Sequence, residues 1–291
     1  MVIPVPLNIG VTKKNIAMET ILVPTDFSPA AKGAAEYALE FAEFFDAKLI
    51  LVNAFSIPMA NTDTMFPLDV VMPLQNVAAK NLETLKSELL LQSEKNIDIE
   101  CEAEMGSAYD VIDFISKKYD VDLIVMGITS EAGIIKEHLI GSSAVKVARN
   151  IEIPTFIIPE GVKYHPIRHI SFACDMEKTG QISLINIVKS FCKMFEAELE
   201  IVNVEGLEEE VSYEKARTSV YIEKKLEEIK HKIVYVSENK VGKGIEDYLE
   251  SMPTDILVVN PKKHNIFHTL FKENITNELA FHVHVPILAI H

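Results

Sequence analysis

Short apolar runs alternate with longer amphipathic segments along the first half of the chain. The runs are rich in Ile, Val and Leu, and in the longer segments apolar residues recur every three or four positions. Strands are predicted at 20–26, 48–55, 97–105, 121–127 and 153–159, and helices at 28–46, 76–94, 108–120 and 142–150. Strands and helices in strict alternation predict an α/β fold with a parallel sheet covered on both faces.

The same pattern restarts near residue 168, which indicates an internal repeat. Residues 168–175 align with 19–26 at an offset of 149, and 197–205 align with 47–55 at an offset of 150. Residues 244–261 repeat the segment that ends at 127, near an offset of 134, and 285–291 repeat 153–159 at 132. We therefore predict two tandem, doubly wound domains of five parallel strands each, at 18–160 and 167–291.

Composition and charge narrow the classes of function. At 291 residues with 48% hydrophobic side chains, the chain can bury a large core. A net charge of -15 disfavours binding to nucleic acids or to anionic membranes, so neither is predicted as a partner. Cys101, Cys174 and Cys192 form no CxxC motif, which argues against a disulfide framework and fits a cytoplasmic location.

The first 17 residues are predicted to be an extension that precedes the folded part. They contain two prolines and no basic segment at their start, so they do not have the pattern of a signal peptide. Met18 comes directly before the first predicted strand, and we expect it to be an alternative start of the protein.

The ends of the strands carry the candidate binding residues, because ligands of open parallel sheets bind beyond the carboxyl ends of the strands. The first strand ends in "PTD" (24–26), the second in "VNA" (52–54) and the fourth in "VMG" (125–127). Asp26 is suited to accept hydrogen bonds from a ribose or an adenine amino group, or to cap the helix that begins two residues later. Gly127 permits unusual backbone conformations or the close approach of a ligand.

A "GSS" sequence at 141–143 precedes a predicted helix. The free N–H groups at a helix start favour an anion, and serine hydroxyls add further donors. A purely structural cap is the alternative interpretation of the same residues.

Four segments together resemble the universal stress protein family: "ILVPTDFSPAA", "LILVNA", "DLIVMG" and "LIGSSAVKVARNIEIPTFII". The resemblance covers nearly all of 18–159, and the second copy is similar more loosely, as in a tandem member. It implies a Rossmann-like fold of the adenine nucleotide alpha hydrolase type and a site for ATP or another adenine nucleotide, with Mg²⁺ as its companion. The residues that it implies for this site are Pro24, Thr25, Asp26, Ala54, Met126, Gly127, Gly141, Ser142 and Ser143.

The first copy departs from the family's phosphate loop. Ser130 stands where the family has a second glycine, and ten residues instead of nine separate it from Gly141. A serine at positive φ costs about 1 kcal/mol, unless Gly133 allows the longer loop to form the turn. The resemblance therefore implies a weakened ATP site.

The second copy departs further. Asn260 and Pro261 are aligned with Met126 and Gly127, and the residues 274–276, "NIT", face the "GSS" position. Proline has no N–H to offer, so we expect no phosphate binding of the family type there. Lys262 and Lys263 could supply charge instead, and a solvated loop is the plainer interpretation.

Two other patterns in the sequence do not predict a binding site. Five histidines lie in the last 28 residues: His264, His268, His282, His284 and His291. The spacing of the first two would suit zinc on a helix, but no cysteine or carboxylate stands in ligand register, so no metal site is predicted. The segment "KVGKGIED" (240–247) lacks the spacing of a phosphate-binding loop and is predicted to be the turn before a helix.

The sequence contains no recognisable catalytic set, since GxSxG and HExxH motifs are absent. The resemblance implies a stress-response or signalling protein with a nucleotide site in its first domain, and without a catalytic set we expect it to be non-enzymatic. A slow ATP hydrolase is one alternative, and a protein that acts through its surfaces alone is another. The resemblance implies that the last strands of the two copies, 154–158 and 286–290, pair within the chain as a pseudo-dimer, which would cover their exposed edges, and we expect a homodimer of chains beyond it.

Overall fold

The computed structural model describes residues 18–56, 68–129, 142–176, 184–206, 213–261 and 284–291, with the backbone alone for residues 68–70, 142 and 214. Several positions named above lie outside these ranges: the extension 1–17, Ser130, Gly133, Gly141, Lys262, Lys263, His264, His268, residues 274–276 and His282. Within the described part, no helix is both long enough and apolar enough to cross a membrane.

The described chain contains ten strands and seven helices, which alternate through residues 20–159 and again through residues 169–259. The strands are β1 Thr20–Pro24, β2 Lys48–Phe55, β3 Ile99–Met105, β4 Leu123–Ile128, β5 Thr155–Pro159, β6 His169–Ala173, β7 Glu198–Glu205, β8 His231–Ser237, β9 Ile256–Val259 and β10 Ile287–Ala289. The helices are α1 Pro29–Phe45, α2 Leu68–Gln92, α3 Ala108–Lys118, α4 Ser142–Asn150, α5 Ile185–Phe195, α6 Tyr213–Leu226 and α7 Val241–Ser251. The predicted α/β fold is confirmed.

Local sequence signals account for the first helix. The Ser28 hydroxyl accepts the N–H of Ala31 at 3.2 Å, and Pro29 occupies the first helical position, where its missing N–H is harmless. The helix ends at Asp46, which has a left-handed φ of 56°. Both ends agree with the prediction within a residue.

Two predicted boundaries are wrong. Helix α2 begins at Leu68, eight residues before the predicted start, although Pro73 lies inside it. Proline costs one intrahelical hydrogen bond, and the second turn of a 25-residue helix can lose it because the remaining turns continue the ladder. Helix α7 already begins at Val241, so most of the segment 240–247 is helix and not a turn before one.

All ten strands form one sheet, in the order β3-β2-β1-β4-β5-β10-β9-β6-β7-β8. Neighbouring strands are parallel except β5 and β10, which pair antiparallel with Ile157 opposite Ile287. The predicted pairing of the two last strands is confirmed, and it joins two five-stranded halves of identical order into a single sheet. The division of the chain into domains at 160 and 167 remains a prediction.

Equivalent hydrogen bonds recur in the two halves. The Asn53 amide donates to the carbonyl oxygen of Thr25 at 2.7 Å, and the Asn203 amide donates to that of Cys174 at 2.8 Å. Both asparagines are buried in the second strand of their half, and both acceptors directly follow the first strand. Each pair therefore ties the end of the first strand to its neighbour in the same way.

Two aspartates fix the register of the fourth strand in each half. The Asp122 carboxylate accepts backbone N–H bonds at the start of β1 at 2.9 and 3.1 Å. The Asp255 carboxylate accepts the corresponding bonds at the start of β6 at 2.7 and 2.8 Å. Asp255 is therefore the counterpart of Asp122, at an offset of 133.

This offset corrects the sequence alignment of the second copy by one residue. Asn260, and not Pro261, takes the place of Gly127, and Val259 takes that of Met126. Apolar runs such as "LIVM" and "ILVV" fit each other in more than one register, so hydrophobicity alone did not separate the two alignments. Asn260 is buried at the end of β9.

An aromatic cluster joins the two halves across the pseudo-twofold axis. Phe195 of α5 lies with its ring centroid 6.0 Å from that of Phe41 and 5.8 Å from that of Phe45, both on α1. Tyr164, in the connection between the halves, contacts Phe41 edge-on at 5.6 Å. One hydrophobic core runs through this contact from the first half to the second.

Candidate functional site

A cavity of about 260 Å³ lies at the carboxyl ends of β1, β2 and β4. The first turns of α1, α3 and α4 close it from the other side. Seven of the nine residues implied by the family resemblance line it: Pro24, Thr25, Asp26, Ala54, Met126, Gly127 and Ser143. Of the other two, Ser142 begins α4 beside the cavity, and Gly141 lies outside the described residues.

The turn between β1 and α1 is held by its own hydrogen bonds. The Thr25 hydroxyl accepts the N–H of Phe27 at 2.9 Å, and the Thr25 carbonyl accepts the Asn53 amide. Phe27 has a φ of 64°, which is costly for a bulky residue and persists only where the surroundings over-determine it. These bonds fix the position from which Asp26 extends.

Asp26 is exposed, and one of its carboxylate oxygens is engaged within the turn. Its Oδ1 accepts the N–H of Ser28 at 3.0 Å, while Ser28 itself caps α1. Asp26 thus supports the cap residue instead of capping the helix directly. Its Oδ2 makes no hydrogen bond to the residues that the structure describes. That oxygen can accept a bond from a ligand without any loss to the turn.

Gly127 is required by a contact within the protein. A Cβ at this position would lie 2.2 Å from the carbonyl oxygen and 2.4 Å from the carbonyl carbon of Ala30, at the start of α1. Its φ is not positive. The end of β4 therefore packs directly against the backbone of α1, a reason for glycine that sequence reasoning missed because it depends on tertiary contact.

The walls of the cavity are mainly apolar. Val52, Val111 and Ile112 line its inner part, and among the described lining residues Asp26 is the one with a charge. The three helix starts bring the positive ends of their dipoles to the same space. The arrangement suits a ligand with a flat apolar portion, a hydrogen-bond donor and an anionic group.

Sequence reasoning missed several lining residues. They are Ser28, Ala30, Ala31, Ala108, Val111, Ile112, Ile128, Thr129 and Ala144, whereas Val52, named above at the end of the second strand, also lines the cavity. Most lie in the first turn of a predicted helix or at the end of a predicted strand, so strand order together with helix starts was the signal that could have found them. Within the described ranges, no three His, Cys, Asp or Glu side chains are grouped as metal ligands.

The equivalent position in the second half is packed differently. Val204 replaces Ala54, and Gly244 of α7 replaces Val111. A Cβ on Gly244 would lie 2.6 Å from Cγ1 of Val204, so this side chain occupies the space that a β-carbon would need. Asp175 keeps the place of Asp26, while the side chains of the strand and helix beside it differ in size from those of the first half.

Comparisons with known proteins agree with this fold. Residues 18–159 match the model of the Universal stress protein family. Universal stress protein MJ0531 of Methanocaldococcus jannaschii is 28% identical over 145 residues, which are 49% of this chain and 83% of that protein.

Two solved structures extend the comparison. A universal stress protein from Archaeoglobus fulgidus is similar with a TM-score of 0.70 and 16% identity, over 94% of this chain and 98% of the other, which shows a shared fold across both halves. A universal stress protein in complex with cAMP is similar over 50% of this chain and 99% of the other, with 21% identity and a TM-score of 0.37, too low to carry an argument. Residues 18–159, just under half of the chain, therefore belong to the universal stress protein family.

Proposed function

We propose that the chain is a tandem stress-response protein that binds an adenine nucleotide, such as ATP, in the cavity of its first domain. The observation that carries this proposal is that residues distant in the sequence line one cavity. Seven residues from four separate parts of the sequence, 24–26, 54, 126–127 and 143, meet around one cavity. The second domain, 167–291, is a structural or partner-binding half.

The shape and chemistry of the cavity support a purine nucleotide. Val52 and Ile112 offer apolar surface for the base, and Oδ2 of Asp26 is placed to accept a bond from an amino group or a ribose hydroxyl. Its volume of about 260 Å³ is near the lower end for small-molecule sites. The base and ribose would fill it, and the phosphates would lie at its mouth, beside Ser143 and the start of α4.

Magnesium fits this proposal only as a companion of the phosphates. Mg²⁺ is commonly held by one or two carboxylates together with the phosphates of its nucleotide. Among the described lining residues, Asp26 is the one carboxylate. The cavity offers neither a second acid nor a histidine in that part of the chain, which supports binding and signalling over hydrolysis.

Titration calorimetry with ATP on the full chain tests the proposal, with Asp26→Asn as the key variant. The amide oxygen of asparagine can still accept the Ser28 N–H, so the turn is retained. The other oxygen is replaced by an NH₂ group, which donates hydrogen bonds. A hydrogen-bond donor of the ligand would then face a second donor instead of an acceptor. We expect affinity for ATP to fall by about 10-fold to 100-fold, as for the loss of one charge-assisted hydrogen bond.

Asp175→Asn in the second half is the matched control and should leave the affinity unchanged. If the unmodified chain neither binds ATP nor releases a nucleotide when denatured, the proposed function is wrong. Phosphate release measured on the same samples separates the alternatives, since robust turnover that depends on Asp26 would identify a hydrolase.

The proposal includes a cytoplasmic location and a homodimer of chains. The net charge of -15 supports partners other than nucleic acids and anionic membranes. Light scattering on the purified chain tests the dimer: a mass near twice the 32.6 kDa of one chain supports it, and a mass near 32.6 kDa rejects it.

A further inference from the structure

Lys146 is an exposed cation that lies over an aromatic ring, on a helix whose first turn lines the cavity. Its Nζ lies 4.4 Å from the ring centroid of Tyr109, so the side chain bridges α4 to α3. Lys146 is exposed, and among the described residues no carboxylate lies within ion-pairing distance of its Nζ. A cation–π contact is a weak hold on an exposed ammonium group, because water competes for it.

Both partners lie next to residues that line the cavity. Tyr109 follows Ala108, and Lys146 lies three residues after Ser143, about 4.5 Å along the helix axis. Helical side chains lean toward the N-terminus, so the stem of Lys146 extends back over the first turn of α4, in the direction of Ser143. The ammonium group can therefore reach the mouth of the cavity by rotations of its own side chain.

The charge at this site calls for a local cation. Asp26 is negative, and the chain as a whole carries a net charge of -15. Both negative charges would repel an anionic ligand. The partial positive charges at the helix starts would attract it. A lysine without a carboxylate partner is the side chain that can offset this repulsion at the mouth.

We propose that Lys146 binds the anionic, phosphate-bearing part of the ligand and so makes the site selective for nucleotides over nucleosides. This inference rests on the proposed function. The ammonium group exchanges the face of Tyr109 for a phosphate oxygen, and the ring keeps the lysine near the mouth until a phosphate takes its place. A base and ribose alone would fill the cavity without contacting Lys146.

The test compares the affinities of ATP and adenosine for the full chain and for Lys146→Gln, by titration calorimetry at two salt concentrations. We expect the affinity for ATP to fall about tenfold and that for adenosine to stay unchanged. The salt dependence of ATP binding should become weaker, because one charge that salt can screen is gone. Lys146→Arg keeps the charge and should retain most of the affinity for ATP.

Lys225→Gln is the matched control. Lys225 also lies over an aromatic ring, that of Tyr221 at 5.5 Å, but on α6, far along the chain from the cavity. This variant should bind both ligands as the unmodified chain does.

Three results would overturn the inference. If Lys146→Gln leaves the ratio of the two affinities within twofold, Lys146 does not contact the phosphates. If adenosine binding falls as much as ATP binding, Lys146 acts only through the packing of α3 against α4. If the unmodified chain binds neither ligand, the proposed function fails together with this inference.

Discussion

Gly127→Ala tests whether the end of β4 packs against the backbone of α1. The added Cβ would lie 2.2 Å from the carbonyl oxygen of Ala30 and 2.8 Å from the backbone nitrogen of Ala31. Both atoms belong to the backbone of a buried helix turn, so no side chain can rotate away to relieve the contact. The start of α1 would have to move by about 1 Å to reach ordinary van der Waals separation.

The expected cost follows from this displacement. Overpacking of a well-packed interior costs about 1 to 3 kcal/mol, and moving the first turn also weakens the Ser28 cap, which is worth about 1 kcal/mol. We therefore expect the free energy of unfolding to fall by about 2 to 4 kcal/mol. Since Ala30 and Ala31 line the cavity, nucleotide affinity should fall as well.

Gly33→Ala makes the same chemical change in the middle of α1 and provides the control. A Cβ on Gly33 meets nothing within 4 Å, so alanine should raise stability by up to about 1 kcal/mol through its helix propensity. Urea unfolding followed by circular dichroism measures both variants. A Gly127→Ala protein within about 0.5 kcal/mol of the unmodified chain would refute the packing argument.

Two further substitutions test the aromatic cluster between the halves and the dependence of stability on pH. Phe195→Ala removes the contacts of this half-buried ring with Phe41 and Phe45, and should lower the free energy of unfolding in urea by about 2 kcal/mol. A loss below about 0.5 kcal/mol would show that the aromatic cluster does not stabilise the contact between the halves. Burial raises the pKa of Glu102, but the hydrogen bond from Lys118 at 2.6 Å helps to bring the pKa below its usual range. The stability gained is present above about pH 4.5 and is lost as pH falls through the lowered pKa, so Glu102→Gln should destabilise at pH 7 and much less at pH 3. Urea midpoints at the two pH values check this, and an equal loss at both would contradict it.

The elements of the first half could be predicted from the sequence because periodicity and caps agreed there. Ser28 and Pro29 mark the start of α1, and the apolar runs are bounded clearly enough to separate strands from helices. The start of α2 could not be predicted, because a proline at position 73 favours a helix that begins after it. The helix tolerates Pro73 only because this residue lies near the start of a long helix.

Part of the lining of the candidate site could be predicted from the sequence, but the contacts that require particular residues there could not. Strand order alone places Asp26 and Ala54 at one edge of the sheet. The role of Gly127 depends on how closely α1 approaches β4, and no pattern within either segment records that distance. Likewise, the register of the second half depends on the bonds of Asp255, which a hydrophobic pattern does not contain.

The second half also exchanged apolar packing for a polar network that sequence analysis did not anticipate. The Tyr248 hydroxyl donates to Oε2 of Glu200 at 2.7 Å and lies 2.9 Å from the Ser171 hydroxyl, all on buried or nearly buried side chains. The same positions in the first half belong to an entirely apolar cluster: Leu22, Ile50 and Ile115. A network whose members are partnered to one another can rigidify a core, so this half retained its fold under a different set of interactions.

The two halves also differ in packing beside the cavity of the first half. In the first half, Ala54 leaves space beneath Val111, and the cavity opens there. In the second, a larger Val204 faces a smaller Gly244, so α7 packs closely at a position where the first half keeps its walls apart. The two pairs of side chains differ by only one methyl group in total, and the fold tolerates changes that nearly conserve volume. The opposite distribution of side-chain size between strand and helix therefore separates the two copies beside the residues that line the cavity of the first half.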